Sequence, residues 1–146
     1  MDWAKLVPEL LCSDTARSIA FYRDVLGFKI LYERPEDGFA YMDLDGASIM
    51  LEQESAYWFT GELERPYGRG INFEIGVDDV DALCRRVTAA GVTLFREIEE
   101  RWYRRDDQEV GNRQFLVQDP DGYLLRFAQD LGVRAAQCVE NKSGRD

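Results

Sequence analysis

The sequence predicts an α+β fold in which two βαβββ modules form a curved mixed sheet. Three observations predict it: a repeat within the chain, aspartates and glycines at the ends of helix-like stretches, and strand-like runs separated by tight turns. The repeat places VPELLCSDTARSIAFYRDVLGF, residues 7–28, opposite GINFEIGVDDVDALCRRVTAAGV, residues 70–92. Because 146 residues are enough for one domain and too few for a long repeat array, we expect the two copies to pair with each other.

The first module is predicted over about residues 5–54. A strand over 6–12 leads to Asp14, whose carboxylate can accept from the free N–H groups at a helix start. Apolar residues at helical spacing predict a helix over 15–26, and Gly27 supplies the left-handed conformation that ends it. Three more strands are expected in FKILYER, DGFAYMDL and ASIMLEQ, the last two joined by a turn at Asp45-Gly46.

The second module is predicted over residues 71–131, after a connector at 55–70 that has neither a helical nor a strand period. Its helix is expected over 80–90, with a cap at Asp78-Asp79, of which the repeat selects Asp78. Four strands are expected at 71–77, at 92–98, in NRQFLVQ and in YLLRFAQ, with the turn DPDG between the last two. A charged loop followed by a short extended piece is expected at 99–111, and residues 132–146 are expected to form a mobile tail beyond a single domain of residues 1–131.

The composition limits the chemistry that the chain can perform. It contains no histidine, which excludes Ser-His-Asp and Cys-His catalysis and leaves carboxylates, amides and water as metal ligands. A net charge of −10 disfavours nucleic acid and anionic membranes as partners and favours cations. Cys12, Cys84 and Cys138 fit no zinc or disulfide pattern, and no export signal or membrane-spanning run is evident, so we expect a cytoplasmic protein.

Three stretches resemble one protein family in order and in spacing. They are VPELLCSD…FYRDVLGFKILYE at 7–33, GINFEIGVDDVDAL at the midpoint and FLVQDPDGYLLRF at 115–127. Together they resemble the vicinal-oxygen-chelate superfamily, which includes glyoxalase I, extradiol dioxygenases and the bleomycin-resistance proteins. The resemblance implies a glyoxalase/bleomycin-resistance-like fold with a concave inner surface. The amino-acid sequences of these stretches are most similar to those of the bleomycin-resistance branch. This similarity implies a metal-free homodimer.

Metal-dependent members of that superfamily hold an ion with side chains from the first and fourth strands of each module. The resemblance carries these positions to Val7, Asn72, Arg126 and Glu52, or to Met50 one pleat before Glu52. Valine and methionine cannot bind a hard ion, and arginine places a positive charge where a carboxylate is needed. We therefore expect no metal, no cofactor and no catalytic residue at this site.

The same resemblance implies a protein that sequesters a cationic, ring-bearing antibiotic, such as bleomycin, in a cleft between two subunits. An alternative is an isomerase, lyase or dioxygenase-like enzyme with a divalent ion held by Glu52, Asn72 and water. A further alternative is an interaction module whose concave surface takes a partner peptide or the tail at 132–146. The expected ligand-binding residues are Phe39, Tyr41, Glu52, Tyr57, Trp58, Asn72, Trp102, Tyr103 and Arg126.

Several of these side chains also have a structural interpretation. Phe39 and Tyr41 share one face of their strand, because side chains alternate along a strand. Glu52 either contacts the ligand or pairs with Arg126. Tyr57-Trp58 in the connector is interpreted as a stacking platform or as a packing or dimer contact, and Trp102-Tyr103 as a flap over the ligand or as the anchor of its own loop.

Overall fold

The computed structural model describes residues 3–136, in which two four-stranded mixed sheets are each accompanied by one α-helix. The strands are β1 Glu9–Cys12, β2 Lys29–Arg34, β3 Phe39–Leu44, β4 Ala47–Gln53, β5 Asn72–Gly76, β6 Arg96–Arg105, β7 Gln108–Gln118 and β8 Leu124–Ala135. The helices are α1 Thr15–Ala20 and α2 Val80–Ala89, and short 3₁₀ turns lie at Pro35–Asp37 and Ala56–Trp58. Both halves of the chain follow the order βαβββ, so the predicted fold class is confirmed.

The two sheets have the same topology. Their strand orders are β1-β4-β3-β2 and β5-β8-β7-β6. In each sheet the first strand of the module is an edge strand parallel to the last, and the other pairs are antiparallel. Within residues 3–136, the strands of one module form no ladder with those of the other. The repeat in the sequence is therefore a repeat of one supersecondary unit.

The first helix begins and ends as the sequence predicts. The Asp14 carboxylate accepts a hydrogen bond from the backbone N–H of Arg17 at 3.2 Å, which satisfies one free donor at the helix start. After α1 the chain continues as a π-helical turn over Phe21–Val25, so the predicted helix is present but widens in its second half. Gly27 follows with φ of 86°, a conformation that favours glycine.

The second helix is capped one residue later than the repeat indicates. Asp79, and not Asp78, accepts from the backbone N–H of Ala82 at 3.0 Å, so the prediction of Asp78 as the cap was wrong. The side chain of a capping residue reaches the N–H two or three residues ahead, and α2 begins only at Val80. The cap of α2 therefore lies one residue later than the position that the repeat aligns with the cap of α1.

In the charged stretch at residues 99–111 the predicted loop was wrong, whereas the predicted extended piece is present as the start of β7. Most of the stretch belongs to a long hairpin of β6 and β7, in which Arg101 pairs with Asn112 and Arg105 with Gln108. Asp106, at φ of 58°, and Asp107 form the turn. Because β6 is an edge strand whose side chains are largely exposed, its sequence shows no alternation of apolar and polar residues.

The last strand also extends further than the sequence predicts. Val133 pairs with Val110 and Ala135 with Gln108, so residues 132–135, expected to begin a mobile tail, are part of β8. The rest of the expected tail, from residue 137 onward, and with it Cys138, lies outside the described residues. Of the other cysteines, Cys12 is fully buried, as expected of a small core residue.

The modules are joined by one core and by the DPDG turn between β7 and β8. The Tyr22 hydroxyl donates to Asp119 Oδ2 at 2.8 Å, and the Tyr123 hydroxyl donates to the Leu11 carbonyl at 2.9 Å. Asp121, which is buried, accepts from the backbone N–H of Ser13 at 3.0 Å. These bonds link the strand ends and the helix side of one module to the turn of the other.

The helices cover only one face of each sheet. α1 packs on β4, and α2 packs on β7 and β8. The core side chains of both sheets, such as Leu51 and Phe127, lie on the helix-covered side. No helix of residues 3–136 has both the length and the apolar content needed to cross a lipid bilayer. The opposite face of each sheet, called here the inner face, is left without a helical cover and positions the candidate site.

Candidate functional site

The inner face of the first module consists of two rows of side chains that run across its four strands. Residues that are paired across neighbouring strands project from the same face of a sheet. One row contains Glu9, Met50, Tyr41 and Tyr32, and the next contains Leu11, Glu52, Phe39 and Arg34. This face therefore combines two acids with three aromatic rings and one cation.

Aromatic rings cover one half of this face. Tyr32 stacks on Tyr41 with ring centroids 5.3 Å apart and an interplanar angle of 16°. The Trp3 ring, from the segment before β1, meets Tyr41 edge-on at 5.0 Å. The sequence correctly places Phe39 and Tyr41 on one face, but both are more than nine-tenths buried beneath their neighbours. The Tyr41 hydroxyl is buried and has no hydrogen-bond partner within the described chain.

Two carboxyl groups, those of Glu9 and Glu52, meet on the other half of the face. Burial raises the pKa of Glu9 to about 7, helped by a hydrogen bond to Glu52 and by its like charge, while Arg34 acts in the opposite direction. The Oε1 atom of Glu9 is buried and has no hydrogen-bond partner among residues 3–136. At neutral pH Glu9 is therefore protonated for part of the time.

Sequence reasoning missed Glu9. The signal was present in VPELL, where an acid interrupts an apolar strand and shares a face with Leu11. The residue carried over by the resemblance was Val7, two positions earlier, which precedes β1. A carboxylate on the buried part of a strand was thus the more informative residue.

The inner face of the second module holds Arg126, whose partner differs from the predicted one. Its Nη2 atom lies 3.5 Å from Glu74 Oε2, so a pair with Glu52 does not form within this chain. The reason is register: Glu74 is the neighbour of Arg126 across the β5–β8 ladder, whereas Glu52 belongs to the other sheet. The Asn112 amide also donates to Glu74 at 3.3 Å, and the buried Nε of Arg126 has no partner among residues 3–136.

Asn72 lies at the beginning of β5 and is exposed. It shares the inner face with Glu74 and Arg126, because the three alternate with Phe73 and Leu125 along the ladder. The structure therefore places Asn72 and Arg126 on one face, as predicted, but on the sheet that does not carry Glu52.

The rings of Trp102 and Tyr103 lie on opposite faces of the sheet, because neighbouring residues of a strand point to opposite faces. Tyr103 lies on the inner face, where its hydroxyl accepts from the Gln114 amide at 3.1 Å. Trp102 lies on the helix side, where its ring covers Gly111 and is stacked by the Arg134 guanidinium at 3.9 Å. The two rings therefore lie on a strand and not in a loop, and their role in ligand binding stays a prediction.

Tyr57 and Trp58 belong to the short turn at Ala56–Trp58. Their rings meet edge-on at 4.6 Å and are 82% and 54% exposed, respectively. The next residue, Phe59, lines an open cavity of about 580 Å³ together with Leu63 and Tyr67. Their role in ligand binding or in contact with another subunit stays a prediction.

The four positions at which the superfamily holds metal ions do not fit an ion in this chain. Val7 has no donor atom, and Arg126 is a cation already paired with Glu74. Glu52 and Asn72 leave two side chains with at most three oxygens, fewer than the six to eight ligands of Ca²⁺ or the several carboxylates of a Mg²⁺ site. Within residues 3–136, no three acidic or sulfur side chains converge in a way that could hold an ion. No chemical step is therefore assigned to a metal ion at these positions.

Two tandem βαβββ modules with uncovered inner faces define a protein with a glyoxalase-type fold. The chain belongs to the Glyoxalase/Bleomycin resistance protein/Dioxygenase superfamily, whose family model matches residues 6–127. The family is thus established over most of both modules.

Relatives of different activity match nearly the same part of the chain. A lactoylglutathione lyase of Haemophilus influenzae is 32% identical over 132 residues, covering 86% of this chain and 92% of that protein. A bleomycin resistance protein of Geobacillus stearothermophilus is 27% identical over 135 residues, covering 86% and 96%. Among solved structures, TioX from Micromonospora sp. ML1 is similar with a TM-score of 0.69 and 26% identity, over 88% of this chain and 99% of that one.

Proposed function

We propose that this protein is a metal-free small-molecule-binding protein of the bleomycin-resistance type. In this proposal a cytoplasmic homodimer sequesters a cationic, ring-bearing antibiotic in a cleft lined by the inner faces. One observation carries it: the Glu9–Glu52 carboxyl pair shares the inner face with the stacked rings of Tyr32 and Tyr41. Acids beside aromatic faces are the groups that recognise an organic cation. The similarity to the bleomycin resistance protein of G. stearothermophilus supports the same ligand class.

The energetics favour a closed cleft over an open face. A cation or ring on an aromatic face contributes about 0.5–2 kcal/mol, whereas a micromolar complex requires about 8 kcal/mol after the losses of ordering. Two rings and a carboxyl pair fall short of that figure, so burial of apolar ligand surface must supply most of the rest. A second subunit that closes the inner face would provide this burial.

A second candidate function is a lyase or related enzyme on the same fold, since the relative from H. influenzae is a lactoylglutathione lyase. That reading requires a divalent ion at Glu52 and Asn72. Elemental analysis of protein purified without chelators separates the two functions, together with an assay of lactoylglutathione turnover. A stoichiometric ion with turnover would replace the binding function with the enzymatic one.

Calorimetric titration with metal-free bleomycin tests the proposed function. We expect the wild-type chain to bind bleomycin, and the Glu52→Gln variant to bind it about tenfold or more weakly, because a charge-assisted hydrogen bond contributes about 1.5–3 kcal/mol. Glu33→Gln is the matched control, since Glu33 is an exposed acid of the same sheet that pairs with Ala40 in the core-facing rows. Equal affinities of wild type and Glu52→Gln would remove the acid pair from the binding site.

A further inference from the structure

The acid pair of the first module lies near one arginine, Arg34, but forms no salt bridge with it. Neither Glu9 nor Glu52 forms an ion pair within residues 3–136. The nearest arginine in these rows, Arg34, pairs with Asp37 at 3.2 Å and lies over the Phe39 ring at 4.0 Å. Two acids in contact normally face a positive partner in a folded protein. Their negative charge is therefore left available to something outside this part of the chain.

A second, independent group on the same face is also unsatisfied. The Tyr41 side chain is 5% exposed, and its hydroxyl is buried without a hydrogen-bond partner. Tyr41 projects from the inner face in the same cross-strand row as Glu9, with Met50 between them. A buried hydroxyl left without a partner is unfavourable by about 1–3 kcal/mol, so such groups in native proteins usually pair with a ligand or water.

The carboxyl groups and the aromatic rings on this face indicate the shape and charge of a group that would pair with the two acids. Two carboxyl groups offer several oxygens in a small space, which suits a group with two parallel N–H donors more than a single ammonium. The flanking rings of Tyr32 and Trp3 present flat faces and edges that favour a planar, delocalised cation on an aromatic ring.

We infer that Glu9 and Glu52, with the Tyr41 hydroxyl beside them, form a binding site for an aromatic amidinium or guanidinium group. The inference rests on the proposed function, in which a ring-bearing cation occupies this face, and it names the chemical group that is recognised. The two carboxyl groups and the Tyr41 hydroxyl oxygen accept from the N–H groups of the cation. The ring of the ligand packs against Tyr32 and Trp3.

Benzamidine and benzamide, titrated separately and followed by NMR of the backbone amides, test the inference. They share a ring and a planar head group, but benzamidine is a cation and benzamide is neutral. We expect benzamidine to bind the wild-type chain at least tenfold more tightly than benzamide, with the largest shifts at Glu9, Met50 and Tyr41. Glu9→Gln should reduce benzamidine affinity about tenfold and Tyr41→Phe about threefold, each leaving the weak binding of benzamide unchanged.

The control variant is again Glu33→Gln, which should bind benzamidine as the wild type does. Equal affinity for benzamidine and benzamide in the wild-type chain would overturn the inference, and this outcome does not depend on any variant folding. Binding of bleomycin without a preference for benzamidine would leave the proposed function standing and remove the amidinium site. A preference for benzamidine that Glu9→Gln abolishes, without capture of bleomycin, would support the site and contradict the proposed ligand.

Discussion

Asp119 illustrates how a single carboxyl group connects the fold to pH. It accepts three hydrogen bonds, from the Tyr22 hydroxyl and from the backbone N–H groups of Asp121 and Tyr123. Burial nevertheless raises its pKa to about 6, because the three bonds only partly offset the loss of water. The folded state therefore binds a proton at Asp119 more tightly than the unfolded state, where the pKa is 3.8. The favourable contribution of this group is present below pH 3.8 and is lost as the pH rises through about 6.

The Asp119→Asn substitution tests this sign. An amide has nearly the same shape and keeps an oxygen for the backbone donors, but it does not titrate. We expect the free energy of unfolding of the variant, relative to that of the wild type, to rise by about 2 kcal/mol between pH 4 and pH 7. Urea unfolding across this range measures it. Asp45→Asn, at an exposed turn, should show no such trend, and parallel curves for Asp119→Asn and wild type would contradict the assignment.

At the scale of elements, the β6–β7 hairpin is stabilised on its helix side by contact between Trp102 and Gly111. A Cβ atom on Gly111 would lie 2.6 Å from the Trp102 ring, so only glycine permits this close approach. The other side of the ring carries the Arg134 guanidinium from β8. The contact thus ties three strands together at the exposed end of the sheet.

Replacement of Gly111 with alanine should displace the Trp102 ring and separate it from Arg134. We expect the free energy of unfolding to fall by about 1–3 kcal/mol, the usual range for an overpacked site. Gly76→Ala is the matched control, because Gly76 also lies in a strand and a Cβ there meets nothing within 4 Å. Urea unfolding of both variants gives the comparison, and equal stability of the two would show that Trp102 moves aside freely.

The elements that could be predicted from the sequence are those fixed by local chemistry or by core patterning. Asp14 and Gly27 bound the first helix through a capping bond and a positive φ, both of which depend on few residues. The predicted strand at 92–98 covers only the start of β6. The rest of β6 escaped prediction because an exposed edge strand needs no apolar alternation, and its strand character comes from pairing with β7. The Asp79 cap shows that a repeat predicts an element and not its first residue.

The candidate site was predictable in part for the same reason. Phe39 and Tyr41 are predicted to share a face from the alternation of side chains alone, and they do so in the structure. Glu9 could be placed next to Glu52 only with the register of β1 on β4, which brings strands from opposite ends of the module together. The pairing of Arg126 with Glu74 likewise depends on the β5–β8 register. Pairings between distant strands are not encoded in any local pattern.

At the scale of the whole molecule, the arrangement of the proposed cleft depends on where the two inner faces lie. The hydrogen bonds that join the modules include those from Ser13 and Tyr22 to the DPDG turn, from Tyr123 to the Leu11 carbonyl and from Arg86 to the Asp24 carbonyl, on the helix side and at strand ends. None of the bonds joining the modules within residues 3–136 involves Glu9, Glu52 or Arg126. The modules of one chain are therefore joined away from their inner faces. We expect each cleft to combine the first module of one subunit with the second module of its partner.

A mixed dimer of two variants tests this arrangement. Glu52→Gln alters the inner face of the first module, and Arg126→Gln alters that of the second and removes the unpartnered buried Nε donor. If clefts form between subunits, a dimer of one chain of each kind has one doubly altered cleft and one unaltered cleft. It should bind bleomycin with wild-type affinity at half the wild-type stoichiometry, while each parent homodimer binds weakly at both clefts. Calorimetric titration of a mixed dimer, purified by different tags on its two chains, measures both the affinity and the stoichiometry. Clefts built within single chains would each carry one alteration and show no wild-type affinity, and a mass of 16.9 kDa by sedimentation would exclude the dimer itself.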